Sequence, residues 1–409
     1  MRVLIVTNVA TKGSIGSILS ILKDGLLNNG HEVKICYGYY NDKPQDSVYR
    51  RVCTKIEFIV AAFLTRLTGF EGFYNCFSYK RLVKAIESFK PDVIQLANLH
   101  AYYINEYSLL DYLKASNIPT VYSMFDAYAF TGKCPFPVDC IKYNKGCGNC
   151  KQIKQYPKSL FFDRSHYLYE KKREAYNGFR NLHFVGGVGI YYIAKESTLL
   201  SDKNLHLIDE PQQLDNIFYP RDTSKLKQKL GIHKDDKVVL AAVPLKSFPE
   251  RKRGYYFLDL CKKMKGIPGY SFIYIGFDTD QFGEPDNLIK VPYLESADEF
   301  ASYLSLGDIL FFTSVADTTP CTVIDALACG TPVVGFNIEG MNCFHISDTN
   351  VLNAVEIGDI DKIMDIVMKA PKKNDALIKA CRDSVYYQFE SKYIVQKYIE
   401  LYKGICGHE

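Results

Sequence analysis

Two aspartates with seven residues between them stand in the run Asp317-Thr-Thr-Pro-Cys-Thr-Val-Ile-Asp325-Ala-Leu-Ala-Cys-Gly-Thr-Pro-Val-Val334. The run reads as a polar loop, a short helix, a turn at Gly330 and a buried strand from Thr331 to Gly335. A loop that meets a helix N-terminus beside strand ends is where α/β sheets take phosphorylated ligands. The first turn of a helix has no internal acceptors for its N–H groups, so those of Thr322 and Val323 are expected to meet a diphosphate. Asp325, one turn on, can accept hydrogen bonds from a ribose diol, and Asp317 can reach sugar hydroxyls beyond the phosphates. The same spacing also fits an ordinary surface loop ahead of a core strand.

Three other clusters could carry chemistry. Thr11-Lys-Gly-Ser-Ile-Gly16-Ser17 follows a first strand and opens a helix, so its glycines allow close backbone approach and its N–H groups await an anion. It lacks the third glycine of a dinucleotide fingerprint. Pro249-Glu-Arg251-Lys-Arg253-Gly254 places three consecutive cations before a glycine and a helix, enough to neutralise a diphosphate leaving group, with Lys246 in the same loop. A solvated charge run reads the same way. Cys134, Cys140, Cys147 and Cys150 fall within seventeen residues, the last two as Cys-Gly-Asn-Cys, and could hold a structural zinc that staples a long loop. Two disulfides or free thiols are the other readings. His100 and Asp126 are polar candidates that could equally be structural.

The elements that position these residues alternate. Apolar strand runs (Arg2–Asn8, Val33–Tyr37, Val93–Leu96, Thr120–Met124, Leu182–Val185, Leu205–Ile208, then Val238–Val243, Ser271–Gly276, Ile289–Val291, Ile309–Thr313 and Thr331–Phe336) are separated by helical patterns. Such alternation predicts α/β architecture with parallel sheets. With 409 residues the chain exceeds one ordinary core. Two Rossmann-like domains are expected, at 1–208 and 209–388, with a terminal helix in 389–409. Phe58–Leu67 is apolar and breaks the rhythm, as either a buried core helix or an amphipathic surface segment.

Composition narrows the function. Apolar residues make up 47% and charged residues 23% of the chain, as in a globular protein. Thirteen cysteines with no secretory leader argue against a disulfide scaffold, and no apolar run approaches a membrane span, so a cytoplasmic protein is expected. The net charge of +4 hides an asymmetry: residues 1–180 hold 25 Lys/Arg against 15 Asp/Glu. A basic first half suits an anionic partner such as a membrane surface or a lipid phosphate. Nucleic acid is not expected, since no zinc-finger, RNP or helix-turn-helix pattern accompanies the charge.

The run from Ala326 to Val334 resembles, residue for residue, the donor motif of retaining GT-B glycosyltransferases (family 4), in which two glutamates stand where this chain has Asp317 and Asp325. Asn98-Leu-His100-Ala-Tyr-Tyr-Ile-Asn105, Asp126-Ala-Tyr-Ala-Phe-Thr-Gly-Lys-Cys134, Gly146-Cys-Gly-Asn-Cys150 and Tyr156-Pro-Lys-Ser-Leu160 further resemble a bacterial exopolysaccharide, colanic-acid-type subgroup. The resemblance implies a GT-B fold, two Rossmann-like domains with a cleft between them and a C-terminal helix crossing back to the first. It implies a hexosyltransferase using a UDP- or GDP-sugar, without a catalytic metal. The acceptor would be a lipid-linked or oligosaccharide chain destined for a capsule, exopolysaccharide or O-antigen. A peripheral contact with the cytoplasmic face of the inner membrane follows from such an acceptor.

On that resemblance Arg253 contacts the diphosphate with Lys246 or Arg251, Thr322 and Val323 assist, Asp325 holds the ribose and Asp317 the sugar. Gly16 lines the donor site, and His100, Asp126 and Asp317 form the catalytic set. The departures are the shortened acids and the residues Gln95, Ala97 and Phe125, where the subgroup has histidines. They leave open a second reading, a weak or inactive homologue that serves as a binding subunit. A phosphorylase or epimerase on the same fold is a third.

Overall fold

The computed structural model describes residues 1–39, 41–137, 140–243, 249–277 and 288–407. The chain divides into two compact units, Met1–Pro211 with Ile394–Glu409, and Gln212–Tyr393. Unit 1 is built on strands β1 (Arg2–Thr7), β2 (Glu32–Tyr37), β3 (Tyr49–Arg51), β4 (Val93–Ala97), β5 (Thr120–Ser123), β6 (Leu182–Gly186) and β7 (Asn204–Leu207). They pair in the order β3-β2-β1-β4-β5-β6-β7, and every pairing is parallel. Unit 2 carries β8 (Lys237–Ala242), β9 (Tyr270–Ile275), β10 (Leu288–Val291), β11 (Ile309–Phe312), β12 (Val333–Phe336) and β13 (Leu352–Val355) in the order β10-β9-β8-β11-β12-β13, again all parallel.

Both sheets wind outward from a first strand in two directions. The reversal falls between β1 and β4 in unit 1 and between β8 and β11 in unit 2. Crevices at the carboxyl ends of such strand pairs are the natural ligand sites of open α/β sheets. The strands are near-continuous apolar runs because both faces are covered. In β1, Leu4 and Val6 join one buried cluster while Val3 and Ile5 join another. β3 and β13 lie outside the expected strands. Tyr-Arg-Arg and Leu-Asn-Ala-Val are sheet-edge segments without the apolar continuity of a central strand.

The C-terminal helix, Ser391–Cys406, completes the core of unit 1. Ile394, Val395, Tyr398, Ile399 and Tyr402 pack against Val3, Ile5 and the helix Gly13–Asn28. Gly25 of that helix admits Val395, whose methyl carbon would lie 2.5 Å from a Cβ there. Tyr402 hydrogen-bonds Gln95, and Gln95 donates to Ser123 Oγ at 2.8 Å. Gln95, Ala97 and Phe125 therefore all face the cluster that this helix covers. Three positions that separate the chain from the exopolysaccharide subgroup are thus spent on packing.

Phe58–Leu67 falls in the helix Lys55–Thr68, started by a capping box in which Thr54 and Glu57 satisfy each other's backbone N–H. Its buried residues are Ala61, Ala62 and Thr65. Phe58 packs inward against Tyr39 and Tyr102, but Ile56, Ile59, Val60 and Phe63 point outward, so the helix is an amphipathic surface segment and not a buried core helix.

Candidate functional site

The site in unit 2 grows from the carboxyl ends of β8 and β11. A small crevice there is lined by Ala242, Val243, Thr313, Ser314, Lys252 and Thr322. The short helix Pro249–Lys252 is tied to the chain leaving β11, with Thr313 Oγ1 donating to the Lys252 carbonyl at 2.7 Å and Val315 N to the Arg251 carbonyl at 2.8 Å. These bonds aim the basic run across the strand ends.

Asp317 sits at the focus of that run. Its Oδ2 accepts from Lys252 Nζ at 2.8 Å and Arg251 Nη1 at 3.0 Å, and its Oδ1 from the Thr318 N–H at 3.1 Å. Burial alone would raise its pKa, but the two cations outweigh burial and hold it below the ordinary carboxylate range. A sugar hydroxyl would share a carboxylate already engaged on both oxygens. Lys252, which sequence reasoning passed over within the charge run, is the closer of the two cations. Arg253 follows with a left-handed backbone (φ 43°) and reaches Tyr256 Oη at 3.4 Å. Lys246 lies outside the described residues.

The helix Cys321–Ala328 brings Thr322 to the crevice and Asp325 one turn deeper. The Thr322 N–H meets no acceptor among the described residues, as expected of a first helical turn. Val323 differs from expectation. Its N–H donates to the Pro320 carbonyl at 2.8 Å, because the chain closes a tight turn at Pro320 before the helix is established. Asp325 is 6% exposed, and its Oδ1 has no hydrogen-bond partner among the described residues. Desolvation pushes its pKa well above the ordinary value. A buried carboxyl with an unused oxygen beside a crevice is the kind of group a ligand's hydroxyls satisfy. Gly340 closes the site from behind: a Cβ there would come within 2.5 Å of the Asp317 carbonyl oxygen.

In unit 1 the structure joins His100 and Asp126 at the carboxyl ends of β4 and β5. His100 Nε2 lies 2.9 Å from Asp126 Oδ2 and its Nδ1 2.9 Å from Tyr156 Oη. A carboxylate can only accept, so Nε2 carries a proton and donates it to Asp126. Asp126 also caps the turn after β5 through the Tyr128 N–H at 2.9 Å. The loop holding His100 is strained, with left-handed φ at Asn98, Ala101 and Tyr102. Such strain gathers where a loop is held for function. Beneath it lies Glu71, 1% exposed, whose pKa burial raises to about 7. Tyr156 stands in a motif of the resemblance, but its bond to His100 and the place of Glu71 were not legible from sequence, since neither is near His100 along the chain.

Just ahead of the glycine loop's helix, the chain supplies an anion of its own. The carboxylate of Asp42 accepts from the N–H groups of Ala10, Thr11 and Lys12 at 2.7, 2.8 and 3.3 Å and from Thr11 Oγ1 at 2.8 Å. These bonds outweigh burial and hold its pKa below the ordinary range. The nest is thus filled by the chain's own anion. Gly16 has a packing reason, because a Cβ there would meet the Thr11 carbonyl carbon at 2.3 Å.

The four clustered cysteines lie near enough that each of Cys134, Cys147 and Cys150 has its thiol pKa raised, by burial first and then by its sulfur neighbours. Among the described residues no group of three or more His, Cys, Asp or Glu is arranged to hold a metal ion, and the four cysteines are free thiols. Other bonds hold the loop: Lys133 Nζ to the Ile153 carbonyl, Lys142 Nζ to those of Gly148 and Asn149, and Cys150 N to Asp163.

Comparison with known proteins agrees with this geometry. Residues 238–370, all within unit 2, match the family described as "Glycosyl transferases group 1". Over 202 residues the chain is 25% identical to "N-acetyl-alpha-D-glucosaminyl L-malate synthase" of Bacillus anthracis, covering 47% of this chain and 51% of that protein. Over 91 residues it is 30% identical to "Putative colanic acid biosynthesis glycosyl transferase WcaC" of Escherichia coli (strain K12), covering 21% and 22%. The matched stretches thus span about half of the first relative and about a fifth of the second. The structure of Anabaena Alr3699/HepE in complex with UDP superposes with a TM-score of 0.66 at 12% identity, covering 99% of this chain and 100% of that one. That likeness is one of fold, and the fold is that of GT-B glycosyltransferases.

Proposed function

We propose that this chain is a retaining glycosyltransferase that moves a hexose from a UDP- or GDP-sugar to a lipid-linked or oligosaccharide acceptor of a bacterial surface glycan, at the cytoplasmic face of the membrane. The observation that carries the reading is Asp325. It is a buried carboxyl with an oxygen that has no partner among the described residues, set one turn into a helix whose start borders a cation-lined crevice at the strand reversal of unit 2.

A nucleoside diphosphate supplies what this arrangement lacks. Ribose hydroxyls would donate to Asp325. The diphosphate would meet Lys252, Arg251 and Arg253 with the Thr322 N–H, in the manner of helix-terminus phosphate sites. Charge that develops on the departing diphosphate is then stabilised by groups already fixed in place, Arg251 and Lys252 being held by Asp317. In front-face transfer no protein nucleophile is required. The Tyr156–His100–Asp126 chain of hydrogen bonds would orient hydroxyls of the sugars in unit 1. The relative named for colanic acid biosynthesis and the UDP complex of the Anabaena protein support the choice of acceptor class and donor.

Calorimetry and product analysis with a panel of UDP- and GDP-sugars test this. The expected result is binding of one nucleotide class, with slow donor hydrolysis in water and transfer when acceptor is present. Binding without hydrolysis or transfer would favour the non-catalytic subunit. Absence of binding across the panel would refute both.

A further inference from the structure

The helix Lys55–Thr68 is turned the wrong way for a core helix. Ile56, Ile59, Val60 and Phe63, spaced i, i+3, i+4 and i+7, lie on one face and are 49–75% exposed, while small residues fill the inner face. Isolated exposed apolar residues need no explanation, but a stripe of four large ones on one helix does. Next to the end of this helix runs a second apolar segment. Leu160 N donates to the Arg66 carbonyl at 2.8 Å, and the Phe162 carbonyl approaches Gly69. That brings exposed Phe161 and Phe162 beside the helix terminus.

The surroundings are basic. Lys55 and Arg66 are exposed on the helix itself, Lys158 on the neighbouring segment, and Lys80 with exposed Phe77 on the next helix, which Arg81 ties to Glu57. Between residues 50 and 84 the chain carries seven Lys/Arg and two Asp/Glu, of which Glu71 is buried and Glu57 is bonded to Arg81. An apolar stripe flanked by exposed cations matches the interface of an anionic bilayer, where side chains enter the acyl boundary and lysines meet headgroups. At 14 residues the helix is roughly 21 Å long, short of the roughly 30 Å hydrocarbon core, so it must lie in the plane. Among the described residues no helix is long and apolar enough to cross a membrane.

We infer that unit 1 docks on anionic phospholipid through the outer face of the helix Lys55–Thr68 together with Phe161 and Phe162. This deepens the proposed function by naming the surface at which a lipid-linked acceptor would be met, and it rests on that reading only for its purpose.

Vesicle flotation tests it on the full chain with no donor present. Phosphatidylcholine vesicles are compared with phosphatidylcholine–phosphatidylglycerol vesicles, for the wild type and for the double variant Ile59→Ser, Phe63→Ser. The expected result is binding to the anionic vesicles alone, weakened by salt, and reduced about tenfold or more in the double variant. The melting temperature should be unchanged, because the replaced side chains make few contacts. Three outcomes overturn the proposal: no wild-type binding to anionic vesicles, equal binding by the variant, or a wild-type dimer that the variant converts to monomer, which would assign the face to a second copy. Since flotation is read without nucleotide, each of these leaves the transferase reading standing.

Discussion

Replacing Asp325 by asparagine separates what the carboxyl does for the ligand from what it costs the empty protein. In the unliganded chain the side chain is 6% exposed, Oδ1 has no partner among the described residues, and desolvation raises its pKa well above 3.8. A diol that donates two hydrogen bonds stabilises the ionised form. Hydrogen bonds to a charged acceptor contribute about 1.5–3 kcal/mol. Asparagine keeps one carbonyl acceptor and loses the charge, so Kd for the nucleotide should rise roughly 10- to 150-fold. Wild-type binding should also release a proton at pH values where the empty site is protonated, visible in calorimetry as a heat that depends on the buffer's ionisation enthalpy. Stability carries the opposite sign. As pH rises past 3.8 the unfolded carboxyl ionises while the folded one stays protonated, so the wild type loses stability until the folded group itself ionises. Asp325→Asn lacks this loss, and its melting temperature should gain on the wild type as pH increases over that range. Equal nucleotide affinity in the variant, or binding heats independent of buffer, would refute the role given to this residue.

Three further outcomes follow from the geometry. Gly340→Ala places a Cβ 2.5 Å from the Asp317 carbonyl oxygen, so the loop must shift. Nucleotide affinity and kcat/KM should fall together, by about tenfold for each 1.4 kcal/mol of displaced contact. Asp317→Asn leaves Arg251 and Lys252 without their shared anion at a site where their side chains are only 16% and 21% exposed. A loss of about 1–3 kcal/mol in the stability of unit 2 is expected in denaturant titrations at neutral pH. The wild type should approach the variant as acid protonates Asp317, whose depressed pKa places that loss below 3.8. In unit 1, Glu71 ionises at about 7 when folded against an ordinary 4.5, so stability should fall as pH rises across that window. Glu71→Gln should flatten the dependence, and a variant that keeps the wild-type slope would show that another group sets it.

Much of this was written in local sequence. The helix Cys321–Ala328 and strand β12 follow from a short apolar run broken at Gly330, whose left-handed φ of 77° is what the turn needs. The two-sheet layout follows from apolar runs alternating with helical periodicity. What stayed hidden depends on distance along the chain or on which way a side chain turns. Asp42 fills the nest at Thr11 from 31 residues downstream, and Tyr156 meets His100 across 56 residues. Within Arg251-Lys252-Arg253 composition cannot say which cations face a carboxylate; the short helix points two of them at Asp317 and gives the third a left-handed backbone. The Val323 N–H was assigned to a ligand because capping rules count free donors at an ideal helix start, whereas Pro320 tightens this one. The outward stripe at Ile56–Phe63 was ambiguous, since helical periodicity marks an apolar face without saying what it faces.

The terminal helix sets an order of events during synthesis. Residues 391–406 supply Ile394, Tyr398 and Tyr402 to the interior of unit 1, yet they emerge from the ribosome after all but the last few residues of unit 2. At roughly 5–20 residues per second, translating the 182 residues from Gln212 to Tyr393 takes about 10–40 s. For that interval the nascent first sheet waits without the cover that Ile394, Tyr398 and Tyr402 give it, a window in which a chaperone or a neighbouring nascent chain competes for the same apolar face.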